Sequence, residues 1–216
     1  MLPAQAQDQP NVYRNATRYP IAAEPIEDGT MVVQGGTIRA LGPTGSVDVP
    51  DGAVEHDGAG TVIMPGLVDT HSHIGQVSGG DGSAAMHPDV RTLDAINVRH
   101  PSLDRARAGG ITTVQVLSGS GHLMSGQTTF LKLRDGATVA DLTACDDRPV
   151  EACGGMKMAN GTNPQREAGP FPQTRGHAAA MVRQQFVQAQ AYQRKKQRAE
   201  SEAEMPDRDL RMEGLV

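Results

Sequence analysis

The stretch Val62-Ile63-Met64-Pro65-Gly66-Leu67-Val68-Asp69-Thr70-His71-Ser72-His73 constrains this chain more than any other. A proline-glycine turn leads into a short apolar run, which reads as a buried strand ending in two histidines one residue apart. Side chains alternate on a strand, so His71 and His73 project to one face with Asp69 just below, while Thr70 and Ser72 face away. Neutral imidazole is a common ligand of zinc and similar divalent ions, so two imidazoles converging at a strand end are half of a metal site. The same pair also occurs as ordinary polar residues at a loop mouth, and the surrounding sequence has to decide between the two.

Downstream, residues 74–89 are rich in Gly and Ser, which predicts a loop at the carboxyl end of that strand. His87 falls in this loop and reads as incidental. Pro101 to Ala108 is helical, stopped by Gly109-Gly110. Ile111 to Leu117 is β-branched and compact, a second buried parallel strand. The turn Ser118-Gly119-Ser120-Gly121-His122 follows, with His122 a candidate substrate contact set against a simple solvent-exposed histidine. Gln127 to Leu133 predicts another strand. Farther on, Met156-Lys157-Met158 places a lysine on a short strand before a turn; its plain reading is an ammonium that reaches solvent. Thr174 caps a helix whose apolar members Ala178, Met181, Val182, Phe186, Ala189 and Tyr192 repeat at three and four residues, and Leu210, Met212 and Leu215 mark a further helix.

Upstream, residues 11–62 read as short strands punctuated by Asp28-Gly29, Gly35-Gly36, Gly42-Pro43 and Asp51-Gly52, a small all-β module. Residues 1–10 are either a disordered polar N-terminus or the remnant of a secretory signal. Ala4-Gln5-Ala6 has the small-residue pattern of a cleavage site, which would make the mature protein exported (periplasmic) rather than cytoplasmic. Cys145 and Cys153 are too few to decide the compartment; unpaired thiols are the default reading, with a disulfide open to them after export.

The run Pro65-Gly66-Leu67-Val68-Asp69-x-His71-x-His73 resembles the opening motif of the amidohydrolase superfamily, metal-dependent hydrolases in which this pair ends the first strand of a (β/α)8 barrel. Residues 28–42 are similar to the hairpin that begins the N-terminal β-sandwich of many such proteins, and residues 110–133 to the segment after the histidine pair in imidazolonepropionase-like members. The resemblance implies an α/β fold: a partial (β/α)8 TIM barrel over residues 66–216, preceded by a β-sandwich segment over residues 11–65. It implies hydrolysis of a carbon–nitrogen bond in a small-molecule amide or cyclic amide. The cofactor would be one or two divalent ions, zinc first among them, held by His71 and His73. Lys157, if carbamylated as in some members, would join them as a bridging ligand. Thr162 stands where the resemblance expects the glutamate of Gly-Glu-Asn-Pro, so that carboxylate is missing here.

Only 150 residues run from Leu67 to Val216, whereas a complete barrel takes about 250. The chain therefore reads as an N-terminal piece holding three or four βα units, inactive by itself and with uncovered sheet edges that leave homo-oligomers open. A truncated, non-catalytic scaffold with at most weak metal binding is the alternative. The net charge of −5 argues against a nucleic-acid partner. The basic run Arg194-Lys195-Lys196-Gln197-Arg198 is followed at once by Glu200, Glu202 and Glu204 and reads as a solvated helix face. No apolar run approaches the roughly 18 residues of a membrane span.

Overall fold

The computed structural model of the chain describes residues 9–75, 77, 79–145 and 153–216, so Ala4-Gln5-Ala6 lies outside the described residues. The chain divides into two compact units, Met1–Pro65 and Gly66–Val216.

The first unit is one five-stranded sheet. β1 (Asn11–Arg18) lies antiparallel to β2 (Ile26–Gln34), which pairs antiparallel with β3 (Thr37–Pro43). On its other side β1 runs parallel to β4 (Val54–Asp57) and then to β5 (Val62–Ile63). Gly35 and Gly36 link β2 to β3 with φ of 57° and 71°. Positive φ at both central residues matches the right-handed twist of the flanking strands and is almost free of cost for glycine. Val12, Ala16 and Val32 make the buried face. A second sheet layer, expected for a sandwich, is not found among the described residues.

The second unit opens with β6 (Leu67–Ser72), then α1 (Pro101–Ala108) and β7 (Ile111–Val116). β6 and β7 are parallel, and the Leu67 N–H bonds the Gly110 carbonyl at 2.9 Å. α1 ends as its sequence dictates, with Gly109 as cap and Gly110 at φ +88°. Val114, Val116, Leu131, Leu133, Leu103 and Leu142 form the main core. Each such side chain stabilises the fold by about 1.5–3 kcal/mol through burial.

Beyond β7 the expectation of further parallel βα units gives way. The expected strand 127–133 is split into β8 (Met124–Gln127) and β9 (Thr129–Lys132). β9 returns antiparallel to β7, while β8 leaves to pair with β10 (Met156–Met158). No helix lies between β7 and β9, and a parallel return would need a crossover of a dozen or more residues, usually helical. Thr128 is the joint between the two sheets: its Oγ1 accepts from Gln115 Nε2 and from the Gly155 N–H, each at 2.7 Å. Its own N–H donates to the Gly155 carbonyl at 2.7 Å. Among the described residues, then, one β–α–β unit is parallel.

Two further expectations need correction. Cys145 and Cys153 are joined in a disulfide, their Cα atoms 5.9 Å apart, a separation suited to the bond. The histidine strand is not buried: Leu67 is 52% and Val68 58% exposed, because β6 is the outer strand of its sheet.

α2 (Val139–Leu142) is a single turn, and α3 (Arg175–Arg198) is the long helix, with Thr174 Oγ1 accepting from His177 N–H at 3.2 Å. α3 buries Ala178, Gln185, Ala189 and Tyr192. Gln185 takes the inward place expected for Phe186, which lies about 100° further round the helix and is 38% exposed. Nor does α3 pack on a sheet through one stripe. Its start meets Leu123 and Phe171, and its end meets Met212 on α4 (Leu210–Glu213) and Leu215. No described helix is long and apolar enough to cross a membrane.

Candidate metal centre

The chain enters β6 directly after Gly66, without a regular turn at Pro65-Gly66, and alternation along that strand carries Asp69, His71 and His73 to one side. The two rings stand 5.3 Å apart, centroid to centroid, at 88° to each other. Both histidines are exposed, so their free nitrogens open to solvent. His73 Nδ1 lies 2.7 Å from the carbonyl oxygen of Leu117, the residue that follows β7. A carbonyl can only accept, so Nδ1 carries the proton, and in the neutral ring Nε2 is left with its lone pair outward. This is the arrangement by which a backbone carbonyl orients a metal-ligating imidazole. Leu117 is held in turn, its N–H bonding the Ser72 carbonyl at 2.9 Å. Asp69 Oδ1 accepts from the His71 backbone N–H at 3.0 Å, which fixes the chain leading into His71.

The pair therefore fits half of a divalent-metal site in donor chemistry, tautomer and access. Among the described residues no group of three His, Cys, Asp or Glu side chains is arranged to hold an ion. Lys157 sits half-buried at the centre of β10, opposite Gly126 of β8, in a sheet that does not include β6.

His122 is placed differently from a solvent-exposed histidine. It is 5% exposed, with its ring 5.9 Å from that of His87 and 5.6 Å from that of Phe171. His87, which reads from sequence as incidental, is itself 7% exposed. Neither His122 Nδ1 nor His87 Nε2 has a hydrogen-bond partner among the described residues. Burial lowers the His122 pKa below the ordinary imidazole value, and the neighbouring His87 and Arg166 push the same way. Asp81, in the loop above, is held below the usual carboxylate range by the backbone N–H of Ser83, then by its hydroxyl, and further by His87 and His122. Nothing in the linear sequence could have paired positions 87 and 122. Their contact depends on the loop doubling back, with Leu123 N–H bonding Ala85 O at 2.8 Å and His87 N–H bonding Met124 O at 2.9 Å.

The turn after β7 is tied down from several sides. Ser118 Oγ donates to the Ser125 carbonyl and Ser125 Oγ to the Gly119 carbonyl, both at 2.8 Å. Arg166 Nη2 donates to the Gly121 carbonyl at 3.1 Å. A side chain at Gly119 would collide with the backbone of Gly79, so the two loops can approach this closely only because position 119 lacks one.

No family model matches the chain. Among solved structures it is similar to an amidohydrolase from Thermotoga maritima MSB8, with 33% identity and a TM-score of 0.82 over 94% of this chain and 54% of that one. Among curated proteins it is similar to the imidazolonepropionase of Ralstonia nicotianae, 33% identical over 134 residues, covering 50% of this chain and 32% of that protein. It is also similar to the enamidase of Eubacterium barkeri, 36% identical over 97 residues, covering 45% and 21%. The chain spans about a third or less of the curated relatives' length and about half of the Thermotoga protein's.

Proposed function

Because this chain is similar to the N-terminal portion of amidohydrolase-superfamily proteins, we propose that it supplies the first metal-binding strand of a metal-dependent hydrolase acting on carbon–nitrogen bonds other than peptide bonds. The substrate is a small amide or cyclic amide. The observation that carries this reading is the His71–His73 pair, 5.3 Å apart, with His73 Nδ1 committed to Leu117 O and its other nitrogen turned outward.

Residues 66–216 are read as part of a (β/α)8 barrel in which β6, α1 and β7 form the opening unit, and the similarity to the Thermotoga protein supports this. In such a site His71 and His73 would hold the ion, Leu117 fixes the ring of His73, and Asp69 shapes the backbone leading into His71. A divalent ion such as zinc, when bound, supplies Lewis acidity toward a carbonyl and lowers the pKa of water. Lys157 is proposed as a further ligand in carbamylated form, and intact-mass analysis of the metal-loaded protein tests it. His122 is proposed as a substrate contact; at its present burial it reaches a substrate only if the loop over it moves. Export is supported by the disulfide, which an oxidising compartment preserves. Self-association is supported by the exposed outer strand β6.

The test is zinc calorimetry on the chain and on His71→Ala, His73→Ala and the double variant. Each single change should weaken the strongest site by at least about tenfold, on the scale of even indirect changes to metal sites. Unchanged affinity in the double variant would refute the assignment. The alternative, a non-catalytic scaffold, is favoured by the lack of a three-residue metal group among the described residues.

A further inference from the structure

The near-complete burial of His122 beside the second core is not accounted for by the substrate contact proposed above. His122 sits under Gly80 and Asp81, against His87, and against Phe171, whose other neighbour is the Arg166 guanidinium 5.1 Å from the ring centre. A methyl group added at Gly80 would come within 3.0 Å of the His122 ring, which shows how closely that loop covers it. Ala85 and Leu123 pack beside this cluster with Ala178 of α3.

The charged and titratable groups around the ring are few. Asp81 lies above it, His87 beside it and Arg166 behind Phe171. Asp89 follows two residues after His87, and Arg211 donates to the Met86 carbonyl at 2.8 Å. On α3, Arg175 and Arg183 flank Ala178. Among these groups Asp81 is the anion that attracts the ring, and it is an exposed carboxylate already hydrogen-bonded to Ser83. Opposed to it stand the exposed Arg166 and a second, buried imidazole. A protonated His122 would be a buried cation beside other positive groups, with only the carboxylate and backbone of Asp81 favouring the charge and no well-formed hydrogen bond to Nδ1.

We propose that His122 is a proton-operated latch: the neutral ring holds segment 79–88 against the turn 118–124, and gain of a proton from solvent releases that segment. The consequence is a loop whose opening follows pH. The sign follows from linkage. Burial holds the folded His122 pKa below its unfolded value of about 6.5, so the unfolded or opened state binds more protons in between. The closed state is therefore fully favoured above about pH 6.5 and loses ground as pH falls below it. This inference does not depend on His71 or His73 binding metal.

Amide hydrogen exchange of the full chain, corrected for the intrinsic pH dependence, reads the opening directly. Going from pH 7.5 to pH 5.5 should raise exchange of peptides from segments 79–88 and 118–124 several-fold, up to the ceiling of about tenfold that one histidine can supply over this range, while β7 stays protected. His122→Phe, which keeps a ring against Phe171, and His122→Gln, which keeps a polar side chain, should both abolish the rise. No rise in the wild type, or a rise that survives in the variants, would overturn the proposal. Should both variants fail to fold, the proton titration of the His122 ring in the wild type decides: a midpoint below about 6.5 supports the latch, and one at or above it overturns it.

Discussion

Replacing Gly126 by alanine tests the joint between the two small sheets of the second unit. Gly126 lies in β8 at φ +114°, a backbone region closed to L side chains without strain. An added Cβ would overlap the Val90 carbonyl oxygen and lie 3.1 Å from its carbon and 3.2 Å from the Val90 Cβ. Val90 cannot simply retreat, because its carbonyl accepts from the Gln127 N–H at 2.7 Å. The strained φ costs about 1–3 kcal/mol and the overpacking about 1–3 kcal/mol more. Together they take about 2–6 kcal/mol from a fold that has about 5–15 kcal/mol to lose. Urea unfolding followed by far-ultraviolet circular dichroism is the suitable assay, since the chain has no tryptophan. With a slope of about 2 kcal/mol per molar urea, the midpoint should fall by about 1 M or more. Gly155→Ala is the control in the same region: no atom lies within 4 Å of its added Cβ and its φ is not positive, so it should be neutral or gain up to about 1 kcal/mol. Equal midpoints for the two variants would refute this account of β8.

Three other outcomes are expected. The chain alone, supplied with zinc, should show no substantial turnover of N-acyl amino acids or cyclic amides, because a positioned acid or base is worth about 10²- to 10⁴-fold and the carboxylate on the side of His71 and His73, Asp69, is engaged with the His71 backbone N–H; metal-dependent turnover lost in His71→Ala would contradict this. Asp141 is held below the usual carboxylate range by the Thr138 N–H first, then by the Thr138 hydroxyl and the Ala137 N–H. Its stabilisation is present above the unfolded carboxylate value and lost as pH falls through the folded one, so the Tm deficit of Asp141→Asn should be clear at neutral pH and shrink progressively as pH falls below the ordinary carboxylate value of about 3.9. Cys145 and Cys153 should resist iodoacetamide until a reductant is added, and immediate double labelling would disprove the pairing.

What the sequence disclosed was local. The helix over Pro101–Ala108 and its glycine stop, the strand that follows, and the Thr174 cap each depend on residues within a turn or two of one another. The histidine pair was legible for the same reason, since alternation alone puts His71 and His73 on one side. What stayed hidden depends on residues far apart in the chain. β9 reads as a strand from its composition, but its direction is set by the route of residues 117–128. Leu67 and Val68 look like core residues and are exposed because β6 has a single hydrogen-bonding neighbour. The choice of Gln185 over Phe186 on the inner face of α3 reflects what packs opposite. No local signal links His87 to His122, and none links Leu117 O to His73.

The bonding at Thr128 makes a statement about inheritance. Its hydroxyl accepts from the Gly155 N–H, and any side chain at Gly154 would overlap the Thr128 hydroxyl and carbonyl. Two positions 26 residues apart are therefore not free to drift independently. A lineage that lost the hydroxyl at 128 would orphan two donors, and one that gained a side chain at 154 would have to displace it. Across natural relatives that keep this pair of sheets, a hydroxyl residue at 128 should travel with glycine at 154, the two changing together or not at all. The strand that carries Lys157 begins immediately after this constraint, so substitution at 128 is an indirect route by which evolution can move the lysine without touching it.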